Sequence, residues 1–303
     1  MPREIRNVGA SVRAKLLARA RAEKADYQIL LTRYALERLL YRLSVSADRD
    51  RFILKGALLF VTWLDDPFRP TRDLDLLGHG ANDAETMKKT FQGICSTPVA
   101  DDGVLFDVDG LTAAPIREDL KYGGVRVQTY AVIDGARIPI QVDIGFGDII
   151  TPGPIEIAYP VLLDYPAPHL RAYPVETVVA EKFNAIVVLG IANSRLKDFY
   201  DLWLICRTFE LDGAVLSGAV QRTFERRETP MPTDVPTGLT RLYAEEWDAR
   251  WKAFLKREHM NAVPADLGQV LEDLRVFLVP LTAPPNTASY WPSGGPWSDR
   301  TQS

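Results

Sequence analysis

Two aspartates separated by a single leucine are the first candidates for chemistry in this chain. Asp73-Leu74-Asp75 follows a proline-containing segment, and residues 73–77 predict a short strand. Because side chains alternate along a strand, both carboxylates project from one face and Leu74 from the other. Two adjacent carboxylates repel each other, so a cation between them would stabilise both. Hard oxygen ligands of this kind suit Mg²⁺, with Mn²⁺ as the alternative ion. The other interpretation of an isolated Asp-x-Asp is a solvated surface pair.

A third carboxylate lies on a later predicted strand, residues 137–145. Isoleucine and valine alternate along this strand with polar residues, and Asp143 belongs to the polar face. A site with two metal ions needs a further acid to bridge to the second ion, and Asp143 is the candidate. Asp148, in the turn that follows, ranks below it.

A glycine that precedes the acids could bring a phosphate close to the backbone. Residues 52–64 are almost wholly apolar after Lys55 and predict a buried helix, with Gly56 and Ala57 near its start. Glycine at such a position lets backbone N–H groups approach a phosphate, and the helix dipole favours the anion. Lys55 would add a mobile cation. The alternative for Gly56 is tight packing of the helix on the sheet.

A lysine on the apolar face of a later predicted helix indicates an anion nearby. Lys182 lies among valines, an alanine and an isoleucine in residues 174–189. Burying an ammonium is costly without an anion, which a triphosphate would supply. The alternative is a side chain whose charged end reaches solvent at the helix edge. On the next predicted helix Asp198 and Asp201 share a face, and Lys197 and Asp201 have the spacing of a plain intrahelical ion pair.

The rest of the sequence indicates which elements position these residues. Helical patterns cover residues 9–24, 26–44, 81–95, 174–189, 194–207, 212–227, 236–257 and 265–278. Residues 103–146 predict strands, and a hairpin passes through Asp134-Gly135, a pair typical of type I′ turns. These patterns predict an α+β domain in residues 1–165, a helical C-terminal domain in residues 166–281 and a flexible tail in residues 282–303.

Composition and charge narrow the class of protein. No run approaches the roughly 18 apolar residues of a membrane helix. The charged N-terminus has no signal-peptide core, so a cytoplasmic protein without membrane contact is expected. Two cysteines, Cys95 and Cys206, are too few for a disulfide framework and fit a reducing compartment.

Positive charge is unevenly distributed in a chain whose net charge is -4. Residues 1–24 carry seven Lys or Arg, Arg3 and Arg6 among them, against two Glu. This basic stripe could contact phosphate or form a solvated helix face. Lys121 and Arg126, at the start of a predicted strand, could likewise contact RNA phosphate or nothing.

Taken in order, these motifs resemble the signature of the polymerase-β nucleotidyltransferase superfamily. More closely, Leu54-Lys55-Gly56 followed by the string Arg-Pro-Thr-Arg-Asp-Leu-Asp-Leu in residues 69–76 is similar to the AbiEii/AbiGii toxin family, which includes the mycobacterial MenT-type toxins. The resemblance covers roughly residues 30–225. This chain has Ala57 where members usually have Gly or Ser, and Thr71 where they have Ser.

The resemblance implies a polymerase-β-type nucleotidyltransferase fold, α+β with a short mixed sheet, followed by a helical domain. It implies a Mg²⁺-dependent toxin that transfers NMP from an NTP to RNA, the 3′ end of tRNA in some members, and that has a cognate antitoxin protein. By resemblance, the metal ligands are Asp73, Asp75 and Asp143, and the nucleotide-binding residues are Lys55, Gly56, Ala57 and Lys182. Asp198 or Asp201 would orient Lys182 or the acceptor.

Two other functions stay open at this point. One is a small-molecule nucleotidyltransferase of the antibiotic-modifying kind, and the other is a non-catalytic RNA-binding regulator with the same fold. The helical C-terminal half and the basic stripe favour a macromolecular acceptor. The presence of all three acids favours turnover.

Thr71 is a candidate regulatory residue. It lies two residues before Asp73, so on an extended segment its hydroxyl faces the same side as both acids. A phosphate there would add about -1.5 to -2 charges beside the metal-binding carboxylates. Phosphorylation by an antitoxin would therefore switch the enzyme off. The alternative is a hydroxyl that only bonds the turn after Pro70.

Overall fold

The computed structural model describes residues 7–64, 71–116, 123–258, 260, 263–283 and 289–299. The chain divides into two units, the first made of residues 1–147 and 155–172 and the second of residues 148–154 and 173–303. These limits differ from the predicted 1–165 and 166–281. Residues 169–172 add a strand to the sheet of the first unit. In the second unit the Thr177 hydroxyl donates to the Thr151 carbonyl at 3.0 Å, which attaches residues 148–154.

A mixed sheet forms the centre of the first unit. Its strands in the described residues are β1 (Phe52–Lys55), β2 (Asp73–Gly78), β3 (Leu105–Phe106), β4 (Thr112–Ile116), β5 (Gly124–Ile133), β6 (Ala136–Phe146), β7 (Ile155–Ala158) and β8 (His169–Ala172). Their order is β3-β5-β6-β2-β1-β8-β7, and β4 pairs with β5. The β2–β6 and β1–β8 pairs are parallel and the others antiparallel. The predicted α+β class with a mixed sheet is confirmed, and the sheet has eight strands.

Helices cover the sheet of the first unit. They are α1 (Val8–Glu23), α2 (Tyr27–Val45), α3 (Phe60–Trp63) and α4 (Ala84–Cys95). The Asp26 carboxylate caps α2 by accepting the backbone N–H groups of Gln28 and Ile29 at 2.7 and 3.2 Å. α2 contacts β6 and β8, and α4 contacts β4 and β5. The apolar side of each helix is thus buried on the sheet, which leaves the opposite sheet face for the polar residues.

The prediction of a buried helix over residues 52–64 is wrong in its first part. Residues 52–55 form β1, Gly56–Leu59 form a 3-10 turn, and only Phe60–Trp63 are α-helical. β1 lies between β2 and β8, so its apolar side chains are buried. A continuous apolar run is compatible with such a strand as well as with a buried helix, and periodicity alone cannot distinguish the two.

The predicted hairpin is confirmed. β5 and β6 pair from Val125 with Ile144 to Ile133 with Ala136. Asp134 and Gly135 have φ angles of 44° and 79°, and a type I′ turn needs positive φ at both central residues. The turn therefore fixes the register of the two strands that carry Arg126 and Asp143.

The second unit is helical, as predicted. Its helices in the described residues are α5 (Val175–Leu189), α6 (Leu196–Thr208), α7 (Gly213–Arg226), α8 (Arg241–Arg257) and α9 (Leu267–Leu278). Three short strands accompany them: β9 (Leu211–Asp212), β10 (Ser289–Trp291) and β11 (Ser298–Asp299). None of the described helices in either unit is long and apolar enough to span a membrane.

Within the segment predicted to be a flexible tail, residues 289–299 contain two short strands. β10 pairs with β9, and Trp291 is 2% exposed. The Trp291 indole N–H donates to the Cys206 carbonyl at 2.8 Å, and that of Trp297 donates to the Phe277 carbonyl at 3.0 Å. Burial of Trp291 and the indole hydrogen bonds of both tryptophans outweigh the Pro, Ser and Gly content that suggested flexibility.

Candidate active site

The two carboxylates of β2 lie on one face of a central strand. Leu74 and Leu76 are fully buried on the other face, while Asp73 is exposed and Asp75 is half-buried. Because β2 has β1 on one side and β6 on the other, its backbone is held by two neighbours. The sheet therefore fixes the spacing of both acids, as the sequence pattern predicted.

A row of four charged residues crosses the sheet at Asp75. The strand register pairs Lys55 of β1 with Asp75, Asp75 with Asp143 of β6, and Asp143 with Arg126 of β5. Neighbouring strands are about 4.8 Å apart. Two adjacent carboxylates are thus flanked by a cation on each side. The structure brings together Lys55, Asp73, Asp75 and Asp143 from the predicted set.

The Arg126 guanidinium binds Asp143 through two of its nitrogens. Its Nε donates to Asp143 Oδ1 at 2.8 Å and its Nη2 to Oδ2 at 2.7 Å, a bidentate geometry. The hydrogen bond to Asp143 raises the pKa of Arg126; partial burial opposes this, and the charges of Asp143, Asp73 and Asp75 add to it. Gln141 Nε2 also donates to Asp143 Oδ2 at 3.4 Å.

The sequence analysis did not identify Arg126 as a partner of Asp143. The signal was nevertheless present in the hairpin. Counting back from the Asp134-Gly135 turn pairs Ile133 with Ala136 and, seven pairs further, Arg126 with Asp143. Lys121, named with Arg126 as a possible phosphate contact, lies outside the described residues, as do Arg3 and Arg6 of the basic stripe.

The acids fit a divalent cation in part. Asp73 and Asp75 meet the preference of Mg²⁺ for one or two carboxylates completed by waters and substrate phosphates. Asp143 accepts a hydrogen bond from Arg126 on each oxygen, so the guanidinium competes with a cation for this carboxylate. Consistent with this, no group of three or more His, Cys, Asp or Glu side chains within the described part of the chain is arranged to hold a metal ion.

Gly56 makes room for Asp75. Its φ of +72° lies in the region that favours glycine, and a Cβ placed on it would lie 2.7 Å from Asp75 Cγ. The close contact is therefore with the catalytic acid candidate, a third reason for glycine besides phosphate approach and helix packing. Ala57 points its side chain into the core, so only its backbone can face a ligand.

Thr71 lies just before β2 and is half-buried. Its hydroxyl donates to the Asp73 carbonyl at 3.3 Å. This local hydrogen bond agrees with the alternative in which Thr71 stabilises the turn. It holds the Thr71 hydroxyl against the backbone carbonyl of Asp73.

Lys182 in the second unit is held by two buried carboxylates. Its Nζ lies 2.6 Å from Asp198 Oδ1 and 2.9 Å from Asp201 Oδ2. Both aspartate side chains are fully buried, whereas 14% of the Lys182 side chain is exposed. Arg195 Nε also lies 2.8 Å from Asp198 Oδ2. The anion expected beside Lys182 is thus supplied by the protein itself.

Both acids of α6 contact Lys182, which is one of the two partners that the family resemblance implied for Asp198 or Asp201. Asp201 is paired with Lys182 of α5, and Lys197 of its own helix is exposed. Asp148, the weaker acid candidate, is bonded to Arg227 at 2.9 Å. Buried charges of this kind are costly to leave unpaired, so Asp198 and Asp201 fix the position of the Lys182 ammonium.

Comparison with known proteins shows which family the chain belongs to. The family model described as nucleotidyl transferase AbiEii toxin, Type IV TA system, matches residues 38–273, which include both groups of candidate residues. The chain therefore belongs to the AbiEii nucleotidyltransferase toxin family. Membership implies an NTP substrate, a divalent metal and an antitoxin partner.

Two solved structures are similar to the chain, and the first of them supports the fold. JHP933 from Helicobacter pylori superposes with a TM-score of 0.50 at 12% identity, covering 84% of this chain and 95% of that one. A proposed nucleotidyltransferase from H. pylori has a TM-score of 0.45 at 14% identity, covering 84% of this chain and 98% of that one. No curated protein matches the chain.

Proposed function

We propose that this nucleotidyltransferase uses Mg²⁺ to transfer NMP from an NTP to a hydroxyl of an RNA acceptor, with release of pyrophosphate, and acts as the toxin of a toxin–antitoxin pair. The 3′ end of tRNA is the first acceptor to test. The observation that carries the proposal is the placement of Asp73 and Asp75 on one face of β2, with Asp143 in register beside them.

Asp73 and Asp75 would hold the cation, and Asp143 would join them when Arg126 is drawn away. Mg²⁺ supplies a Lewis acid that polarises phosphoryl oxygens and favours ionisation of the attacking hydroxyl. The protein's own part is to fix the two carboxylates on a central strand. Gly56 contributes by leaving space for the Asp75 carboxylate.

Cationic residues would bind the phosphates. Lys55 lies opposite Asp75 on β1, beside the backbone N–H groups of Gly56 and Ala57. Lys182 is a second candidate, because a partly exposed ammonium held by Asp198 and Asp201 keeps its charge and its position. Asp198 and Asp201 would then be positioning residues that act through Lys182.

Thr71 is proposed as the residue through which an antitoxin controls the reaction. A phosphate on its hydroxyl would add about -1.5 to -2 charges next to β2. These charges would compete with the carboxylates for the cation and repel the incoming triphosphate. The hydrogen bond from Thr71 to the Asp73 carbonyl places the modified atom in the acid segment.

The test pairs Asp75→Asn with Asp109→Asn, an exposed aspartate of the same unit. Each protein is incubated with each labelled NTP and total cellular RNA in Mg²⁺. Asp75→Asn keeps the side-chain volume over Gly56 but removes the charge, so we expect transfer to fall by at least the roughly 100-fold typical of losing one electrostatic contact to a transition state. Asp109→Asn should retain wild-type transfer.

Growth gives a second readout of the same variants. Expression of the wild type should arrest the host, and Asp75→Asn should relieve the arrest. Wild-type transfer by Asp75→Asn would remove the metal-site assignment. Transfer to small molecules with none to RNA would instead show an antibiotic-modifying type of enzyme, and no transfer to any acceptor would favour a non-catalytic regulator.

A further inference from the structure

A groove of about 260 Å³ lies beside the row of acids in the first unit. It is lined by Thr112, Ala114, Pro115, Ile116, Arg126 and Gln128. The register pairs Ala114 with Arg126 and Thr112 with Gln128, so these side chains of the neighbouring strands β4 and β5 lie side by side on one face of the sheet. Arg126 belongs both to the groove and to the charged row, which makes the groove continuous with the candidate active site.

The lining favours a neutral ligand with flat apolar faces and polar edges. Ala114, Pro115 and Ile116 offer aliphatic surface, and Thr112 offers a hydroxyl. Among the described residues that line the groove, Arg126 is the one cation, and it forms the bidentate bond to Asp143.

Gln128 supplies the hydrogen bonds that would recognise a base edge. It is exposed, and its Nε2 donates to Gln141 Oε1 at 3.3 Å, which orients the amide. The second N–H and the carbonyl oxygen of the amide can then meet a donor–acceptor pair on a base. Pockets for whole drug-sized ligands measure about 300–1,000 Å³, so a groove of about 260 Å³ has the size for one nucleoside.

We propose that this groove binds the nucleoside of the acceptor that carries the attacking hydroxyl. The inference rests on the proposed function, since it assigns an acceptor to the same site. Phosphoryl transfer places the nucleophile and the leaving pyrophosphate in line on opposite sides of the phosphorus. Lys55 and Gly56 lie on the β1 side of Asp75, and the groove lies on the β5 side. With phosphates at β1, the acceptor enters from the groove.

The distances within the sheet allow this arrangement. β5 is two strands from β2, or roughly 10 Å at the usual strand spacing. A base in the groove would place its ribose above β6, next to the carboxylates of β2. The groove thus selects the terminal nucleoside, and the acids act on its hydroxyl.

The experiment uses the whole chain and measures KM for the RNA acceptor and KM for NTP independently. Gln128→Leu and Thr112→Val remove hydrogen-bonding groups with little change of volume, and Gln28→Leu makes the same change at an exposed site on α2. With saturating NTP, KM for the RNA acceptor should rise about tenfold in Gln128→Leu, as expected for one lost hydrogen bond. KM for NTP should stay unchanged, and Gln28→Leu should match the wild type.

Binding is also measured without turnover. A short fluorescein-labelled single-stranded RNA with a free 3′ hydroxyl is titrated in four versions that differ only in the terminal base. We expect the wild type to prefer one base and Gln128→Leu to lose that preference. A higher KM for NTP alone would assign the groove to the nucleotide substrate and overturn the proposal, as would unchanged constants.

The same binding assay distinguishes a failure of the groove proposal from a failure of the proposed NMP transfer. If no RNA accepts NMP but the labelled RNA still binds with a terminal-base preference that depends on Gln128, the proposed transfer fails, whereas the binding of a terminal nucleoside of RNA in the groove stands. If the labelled RNA binds without such a preference, or does not bind, the groove assignment fails whatever the enzyme transfers.

Discussion

Replacing Arg126 by glutamine should tighten the binding of a divalent cation to the carboxylates of β2. Arg126 holds both oxygens of Asp143, and Asp143 lies beside Asp75 in the sheet. The guanidinium therefore repels a cation at Asp73 and Asp75 and also blocks the third acid. Glutamine removes the charge and leaves Asp143 able to turn towards a cation.

The expected size of this effect follows from the spacing of the strands. Arg126 and Asp75 are two strands apart, roughly 10 Å. A +1 and a +2 charge at that distance repel by about 1 kcal/mol in water and by about 3 kcal/mol at an effective dielectric constant of about 20. Because 42% of the Arg126 side chain is exposed, the lower half of this range applies. Relief of ~1 to ~2 kcal/mol tightens Kd by roughly 5- to 30-fold.

The assay is a titration with Mn²⁺ followed by electron paramagnetic resonance, without nucleotide and at low ionic strength, where charge interactions are least screened. Arg137→Gln is the matched control, because Arg137 is an exposed arginine of β6 bonded to Asp107 at 3.2 Å. It should bind Mn²⁺ like the wild type. Equal or weaker binding by a folded Arg126→Gln protein would refute the reasoning, since Arg126 would then not compete with the cation.

Three further perturbations test other parts of the structure. Thr71→Glu should strongly reduce transfer and Thr71→Val should largely preserve it; equal activities would show that charge at this position does not matter. Gly56→Ala should weaken Mn²⁺ binding, because the added Cβ would displace the Asp75 carboxylate, and unchanged binding would contradict this. Burial raises the pKa of Glu37 to about 7, so folding stability should fall by up to ~3 kcal/mol as pH rises from about 4.5 through 7. Denaturant unfolding measured across this pH range should show that the free energy of unfolding of Glu37→Gln no longer falls with pH. The same fall in Glu37→Gln as in the wild type would exclude Glu37 as its source.

Local patterns were sufficient to predict the acid strand and the hairpin. The alternation in residues 73–77 placed Asp73 and Asp75 on one face because the opposite face needed apolar side chains. The Asp134-Gly135 pair predicted the turn because few residues other than Gly, Asn and Asp accept positive φ. Both signals depend only on the backbone and on neighbours close in sequence.

Features that depend on distant partners were not predictable in this way. Residues 52–55 became a strand because β2 and β8 flank them, which their own composition does not encode. Trp291 is buried because β9 pairs with its strand. The family resemblance implied that Asp198 or Asp201 orients Lys182 or the acceptor, but the local pattern of α5 indicated only that Lys182 needs an anion, because both aspartates lie on another helix.

The row Lys55, Asp75, Asp143 and Arg126 explains how the acids remain together before a substrate arrives. Like charges on neighbouring strands destabilise a sheet, and opposite charges stabilise it. A lysine on one side and a bidentate arginine on the other offset the repulsion between Asp75 and Asp143. A divalent cation must then compete with these two side chains. Because Lys55 is also attracted by phosphate, an incoming triphosphate would draw it from Asp75 and favour the cation, which couples nucleotide binding to metal binding at this site.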